Sequence, residues 1–306
     1  MRLNKFYKGK SAVITGAGSG IGKSFAMQLA NKGTNLVISD INVERVNNLK
    51  DELSNREVSI ISSYCDASNP SDLSKLADLC FEELSSIDFL FNNAGIAVGG
   101  QFDLLSLEKW RSIIDLNVWG MIHCVRAFLP MMLSQGFGHI IVTSSIAGVL
   151  GVGGLSPYST TKFANAGFCE ALYSEYRKKG IDVSIISPFP IKTNLIEDAK
   201  FDLPPHIEQK MNGIDSEKAI NTARAYYWNE FCKMGMECDK AVKKYLKKIK
   251  KKKLYIFEKR MGRIVQFIKG AYSNLYKKIL VKIGDQHLQL FEEAYEEALK
   301  VAKENE

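Results

Sequence analysis

The sequence predicts an α/β fold: a doubly wound parallel sheet with helices on both faces, followed by a helical C-terminal extension. Three observations predict it. Short β-branched runs alternate with longer stretches of helical period from the start of the chain. The first run leads directly into a glycine-rich turn that opens a helical stretch. No repeat of solenoid length is visible to suggest another architecture.

The predicted strands are 11–15, 35–40, 59–65, 88–92, 139–143, 182–187 and 254–257. Their near-continuous apolar character suits strands buried on both faces, as a parallel sheet requires. Between them lie helical stretches such as 21–31, 71–84 and 107–133. A further helix has clear start signals, Ser156 as its cap and Pro157 in its first position, and should stop at Gly180. Residues 188–215 carry four prolines and are too long for an ordinary connection, which points to a substrate loop or lid. Helical pattern resumes near Ser216, and the chain should end in two helices, about 262–283 and 286–303.

Composition narrows the class. With 306 residues, 46% hydrophobic and 25% charged, the chain has enough apolar material for a large core. Its six cysteines form no C-x-x-C, and its four histidines show no ligand spacing, so neither a disulfide framework nor a structural metal is expected. The N-terminus lacks the apolar segment of a secretory signal, which makes a reduced cytosol the expected address. The net charge of +7 is unevenly placed: residues 240–282 hold sixteen Lys or Arg and one acid, Glu258, for +15, leaving −8 elsewhere. That basic run matches no nucleic-acid-binding module, so no nucleic-acid partner is expected.

The turn reads Thr15-Gly16-Ala17-Gly18-Ser19-Gly20-Ile21-Gly22. A dinucleotide pyrophosphate needs backbone amides at a helix N-terminus with no side chains in the way. Gly16, Gly20 and Gly22 supply the tight turn, the close approach and the helix packing, with Ser19 and Ile21 between them. A glycine trio alone is weak; following a strand and opening a helix, it indicates a Rossmann-type nucleotide fold.

Tyr158 and Lys162 are four apart, so on a helix they share a face. Interconverting a ketone and an alcohol needs a proton donor at the oxygen while hydride moves at the carbon. A tyrosine with pKa near 10 is a poor base at neutral pH, and a nearby ammonium should favour its phenolate. Ser145, thirteen residues earlier, would hydrogen-bond the substrate oxygen. A second Tyr-x-x-x-Lys, Tyr255 to Lys259, lies in a predicted strand with Val242 at the serine offset, so the pair carries weight only in context.

Together these motifs resemble the short-chain dehydrogenase/reductase family, in its compact single-domain branch. The resemblance covers residues 8–195 closely and weakens beyond. It implies further roles: Asp66 contacts the adenine, Asn93 of Asn92-Asn93-Ala94-Gly95 lies at the cofactor, Asn117 serves a water relay, Lys162 holds the nicotinamide ribose, and Thr193 reaches the carboxamide. Ser144, beside Ser145, reads as a supporting hydroxyl. Asn92, Asn93 and Asn117 each have a plainer alternative, satisfying backbone groups. The family usually places a glycine after the proline that follows strand six; here Phe189 stands there and is expected to narrow the pocket near the nicotinamide.

NAD is expected over NADP, because Asp40 ends strand two, where an acid bonds the ribose hydroxyls and repels a 2′-phosphate. Lys23 and Arg45 are the side chains within reach of such a phosphate. The substrate is expected to be an apolar alcohol or ketone, facing Val149, Leu150, Val152, Leu155, Phe189, Leu195 and Ile196. The chain is expected to act as a homo-oligomer, a dimer or tetramer. The competing reading is a silent NAD(P)-binding regulator or a membrane-surface scaffold on the same fold; intact Ser145, Tyr158, Lys162 and Asn117 argue against silence.

The expected domains are 1–260, carrying cofactor and catalysis, and 261–306, a basic amphipathic extension. In the extension Ile264, Ile268, Tyr272, Leu275, Ile279 and Ile283 recur at helical spacing among lysines. Two readings stand: the stripe packs on its own domain or a second subunit, or residues 240–283 make peripheral contact with an anionic membrane.

Overall fold

The computed structural model describes residues 3–193, 200–201, 216–233 and 235–303. Seven parallel strands form its centre: β1 (Ser11–Thr15), β2 (Asn35–Asp40), β3 (Ile60–Tyr64), β4 (Phe89–Asn92), β5 (Gly138–Thr143), β6 (Ile181–Ile186) and β7 (Tyr255–Ile256). They lie in the order β7-β6-β5-β4-β1-β2-β3. Val13 of β1 pairs with Val37 on one side and Leu90 on the other. Chain direction across the sheet therefore reverses between β1 and β4, which opens a crevice at the carboxyl ends of those strands.

Both faces are covered, which explains why the strands read as apolar runs rather than alternations. On one face α2 (Gly20–Ala30) and α3 (Val43–Glu52) pack Phe25, Leu29, Val46 and Leu49 with Tyr245 and Leu246 from the later basic helix. The short α1 (Leu3–Tyr7) closes this layer, its Tyr7 hydroxyl donating to the Leu246 carbonyl at 2.7 Å. On the other face α4 (Pro70–Glu83), α5 (Leu107–Ile114), α6 (Met121–Gln135) and α7 (Ser156–Tyr176) follow in turn. Leu76, Val125, Phe128, Met132, Cys169 and Leu172 fill that layer.

Most expected boundaries hold to within a residue or two. Four features differ. The predicted helix 107–133 continues to Gln135 and widens into a π turn over Asp115–Gly120. It has the length and hydropathy of a membrane-crossing helix, but its inner face packs Met121, Cys124, Val125 and Phe128 into the core. Ser156 is the first residue of α7 rather than its cap; Leu155 flanks it, and the Ser156 hydroxyl is buried without a hydrogen-bond partner. The helix yields to a 3₁₀ turn, Arg177–Lys179, before Gly180, where a Cβ would lie 2.0 Å from the Gly136 carbonyl oxygen.

The fourth difference concerns the C-terminus. After α8 (Ser216–Cys232) and α9 (Cys238–Ile249) come α10 (Met261–Ala271) and α11 (Ser273–Lys303). The break falls at Tyr272, not near residue 284. Gly284 sits inside α11 where the helix passes Gly153, and it is Gly153 whose missing Cβ admits the close approach: a Cβ there would lie 2.8 Å from the Gly284 Cα, while one on Gly284 would stand 3.9 Å from the Gly153 Cα. Of the expected stripe Ile283 packs on the chain's own domain, where Val265, Tyr276 and Leu280 from beside the stripe join it against Val149, Leu150, Val152 and Phe257, while Ile264, Tyr272 and Leu275 are exposed. Further along, Phe291, Ala294 and Tyr295 of α11 pack on Tyr227 of α8. The remainder of the expected loop, including Leu195, Ile196 and His206, lies outside the described residues.

Candidate active site

The crevice is lined first by the glycine turn. Gly16 has φ of 63° and Gly20 of 51°, the left-handed region that glycine enters without strain. A Cβ on Gly22 would lie 2.1 Å from the Gly16 oxygen, so α2 is pressed against the end of β1. Ser19 precedes α2 with extended backbone and does not cap it with its hydroxyl. The first-turn amides, including that of Ile21, thus have no side-chain cap, as anion binding at a helix N-terminus requires. Above them stands Thr193, whose Cβ would lie 3.1 Å from a Cβ on Gly20. A dinucleotide fits this cradle.

Asp40 closes the cradle's outer edge. Its carboxylate accepts from the Gly18 amide at 2.9 Å and the Asn42 amide at 3.0 Å. The acid expected to read the ribose also orders the turn. Asn93 is likewise a builder: its amide donates to the Thr15 and Gly16 carbonyls, and its oxygen accepts from the Thr143 hydroxyl at 3.0 Å. The plainer reading of Asn93 is thereby observed, and the side chain ties the ends of β1, β4 and β5 together beside the cradle. Asn92 does similar work, donating to the Met121 carbonyl.

Across the crevice, α7 presents Tyr158, Thr161, Lys162 and Asn165 on one face. Ser145 lies beside Tyr158, near enough to bear on its hydroxyl. Ser145 caps the 3₁₀ turn Ile146–Gly148, accepting from the Ala147 amide at 3.2 Å, which pins its side chain at the mouth of β5. Lys162 is buried, donates to the Thr143 carbonyl at 3.0 Å, and places its Nζ 5.4 Å from the Tyr158 ring centre. Ser144 accepts no site role here; its hydroxyl donates to the Lys162 carbonyl at 3.0 Å and steadies α7.

Asn117 lies in the π turn. Its side chain accepts from the Ile96 amide and donates to the Ile96 carbonyl, both at 2.9 Å, and donates to the Thr161 hydroxyl at 3.2 Å. The hydrogen-bond network orients the Asn165 amide to donate to the Asn117 carbonyl at 2.9 Å. Asn117 therefore joins the loop after β4 to α7, directly behind the tyrosine.

Fold, glycine cradle and the Ser–Tyr–Lys cluster on a single chain call for comparison with known proteins. The family model described as short chain dehydrogenase matches residues 10–202. The chain belongs to that family. A cyclohexanol dehydrogenase from an Acinetobacter species is 37% identical over 194 residues, 63% of this chain and 77% of that protein. The mouse epidermal retinol dehydrogenase 2 is 36% identical over 193 residues, 62% of each chain. A short-chain dehydrogenase/reductase from Burkholderia phymatum, solved in complex with NAD, superposes with a TM-score of 0.77 at 27% identity, covering 88% of this chain and 95% of that one. This short-chain dehydrogenase is thus an NAD(P)-dependent oxidoreductase with the Rossmann-type sheet of its family.

Charge in the dehydrogenase's site runs against one expectation. Burial pushes the Tyr158 hydroxyl above the ordinary tyrosine range, and the neighbouring Ser145 hydroxyl offsets it only in part. Burial also brings the Lys162 ammonium down to about 8. The depression of Tyr158 expected from Lys162 is not produced by the protein's own groups, among which burial dominates. Tyr158 is held protonated.

The remaining residues fall into place around this centre. Asp66 accepts from the Ser68 amide and hydroxyl through one oxygen, at 2.9 and 2.7 Å, shaping the turn into α4 at the cradle's edge. Phe189 is held by its amide, which donates to buried Glu258 at 2.9 Å, while Lys259 lies over its ring. Tyr255 of the second Tyr-x-x-x-Lys donates to Glu170 at 2.6 Å, away from the crevice. Sequence reasoning missed Thr161 and Asn165, though their offsets of three and seven from Tyr158 place them on its helical face. It also missed Trp228, whose Nε1 donates to the Thr193 carbonyl at 3.1 Å from α8. No local pattern links residues so far apart in sequence.

Proposed function

We propose that the chain interconverts an apolar secondary alcohol and the corresponding ketone, with NAD as its preferred dinucleotide. The observation that carries this reading is the pairing of neighbouring Tyr158 and Ser145 side chains, with Tyr158 packed between two apolar clusters. Tyr158 packs against Ala147, Val149, Leu150 and Val152 on one side and against Val98, Leu105 and Ile113 on the other. A carbonyl oxygen reaching both hydroxyls would leave its carbon substituents among these side chains. The relative named for cyclohexanol, an apolar secondary alcohol, supports the same substrate class, and the one named for retinol, an apolar primary alcohol, supports its apolar character.

The dinucleotide, when bound, supplies or accepts the hydride at the substrate carbon. Tyr158 gives its proton to the carbonyl oxygen in reduction and takes it from the alcohol in oxidation. Ser145 donates to the same oxygen and stabilises the charge that develops there. Lys162 holds the ribose of the cofactor and, as an ammonium, favours the phenolate that oxidation requires. Gly16, Ser19, Gly20, Ile21 and Gly22 accommodate the pyrophosphate, Asp40 the adenosine ribose, Asp66 the adenine and Thr193 the carboxamide; Asn93 shapes the cradle. Asn117 supports the route by which Tyr158 regains its proton. On this reading residues 1–260 carry the chemistry and residues 261–306 cover its substrate side.

Tyr158→Phe tests the proposal. It keeps the ring packing and should lower turnover of a cyclic or long-chain alcohol by about 10²–10⁴-fold, with dinucleotide affinity retained. Because Tyr158 is held protonated, oxidation by the unaltered enzyme should speed up as pH rises. Wild-type turnover in folded Tyr158→Phe would overturn the assignment. Efficient use of polyols with no apolar alcohol accepted would overturn the substrate class.

A further inference from the structure

We propose that the corner formed by α10 and the start of α11 docks on an anionic lipid surface. Its apolar side chains are not core-facing. The inner side of α10 is Gly262 and Val265, seated against Phe257. The opposite side presents Met261, Ile264 and Phe267, and across the helix break it continues into Tyr272 and Leu275, all exposed. Phe267 is 65% exposed and Tyr272 56%, yet their rings meet edge to face at 6.0 Å, joining the two helices into one apolar ridge. Single exposed apolar residues need no explanation; a contiguous ridge on a charged protein does.

The charge around the ridge selects its occupant. Lys248 is depressed by burial and then by Arg263, against the pull of Glu258, with Lys244 and Lys253 adding to the depression, so cations of α9 and Arg263 of α10 lie close together. Lys277, Lys278 and Lys282 place further positive charge along α11, lining a shallow groove around exposed Val281 in which Asp285 is the one acid. Glu258, the single acid of residues 240–282, is buried and engaged by Tyr245 and the Phe189 amide. A second copy meeting the ridge face to face would bring like charges together. A nucleic acid would leave the ridge in water, and a zwitterionic bilayer would leave the cations uncompensated. An anionic bilayer takes both, apolar ridge into the interface and cations onto the headgroups.

The ridge is tied to the segment between Ser145 and Tyr158. Lys269, on the flank of α10, donates to the Val149 carbonyl at 3.0 Å and lies over the Phe163 ring. A docked protein would thus hold its substrate-side wall close to the phase in which apolar alcohols dissolve.

Co-sedimentation of the full chain with vesicles tests this. Binding is expected to mixed phosphatidylcholine–phosphatidylserine vesicles at low salt, to weaken as salt rises, and to be much weaker with phosphatidylcholine alone. Phe267→Ser with Leu275→Ser should reduce binding by about tenfold or more, since each side chain leaves the interface. Lys277→Ala with Lys278→Ala should weaken it by about fivefold per cation. All four positions are exposed, and circular dichroism with dinucleotide titration checks that each variant folds. Absence of binding at low salt overturns the proposal. So does binding that ignores both pairs of substitutions, or a concentration-dependent dimer that Phe267→Ser dissociates, because a second copy would then cover the ridge.

Discussion

Gly22→Ala is the substitution that interrogates the cofactor cradle most directly. The added Cβ would lie 2.1 Å from the Gly16 oxygen, 2.9 Å from the Gly16 carbonyl carbon and 2.7 Å from the Asn93 side-chain nitrogen. An ordinary C···O contact is about 3.3 Å or more, so α2 and the end of β1 must part by about 1 Å. Both obstacles at Gly16 are backbone and cannot rotate away. Overpacking of this kind costs about 1–3 kcal/mol. Weakening of the Asn93–Gly16 hydrogen bond adds about 1 kcal/mol, while alanine's better helix propensity returns up to about 1 kcal/mol. The net expectation is a loss of about 2 kcal/mol in urea unfolding. Dinucleotide affinity should fall by roughly tenfold, because the first-turn amides move with the helix and about 1.4 kcal/mol corresponds to tenfold. Fluorescence titration with NADH reads the second effect. Gly167→Ala is the matched control: it sits exposed in α7 with nothing within 4 Å of the new Cβ, and should stabilise by about 0.5–1 kcal/mol. Gly22→Ala protein with unaltered stability and affinity would refute the claim that glycine is required there for helix packing.

Three further outcomes are expected. Asp40→Asn should lower the ratio of kcat/KM for NAD to that for NADP, since it removes the charge that repels a 2′-phosphate while keeping an acceptor for the Gly18 amide; an unchanged ratio would remove Asp40 from cofactor choice. Trp228→Phe keeps the ring stacked on Phe231 and deletes the bond to the Thr193 carbonyl, so KM for the dinucleotide should rise about two- to tenfold with kcat nearly unchanged. His139 is buried, which lowers its pKa from 6.5 to about 4. The unfolded chain therefore binds the extra proton first, and the stability present above pH 6.5 is lost as pH falls through 4, by up to about 3 kcal/mol. His139→Gln, which retains a partner for the Ser184 hydroxyl, should flatten that loss in denaturation curves taken across the window.

The sequence alone determined the fold class and pointed to the candidate Ser145–Tyr158–Lys162 cluster, because both rest on local rules. Apolar runs of strand length separated by helical period can bury their surface only as a sheet covered on both faces. Gly16 to Gly22 announce themselves because just one residue type tolerates their backbone and contacts. Tyr158 and Lys162 share a face by helix geometry. Tertiary structure decided the rest. Asp40, Asn93 and Asn117 turn out to spend their polar atoms on Gly18, Thr15, Gly16 and Ile96, partners that only the folded sheet brings near. Burial raises the proton affinity of Tyr158 and lowers that of Lys162, shifts that their spacing on the helix could not report. The expected break after residue 283 fell instead at Tyr272, and the C-terminal apolar side chains divided into a packed side and an exposed one. Spacing reports which residues share a face; it carries no information about what that face meets, because the partner is supplied by other chain segments that only folding brings near.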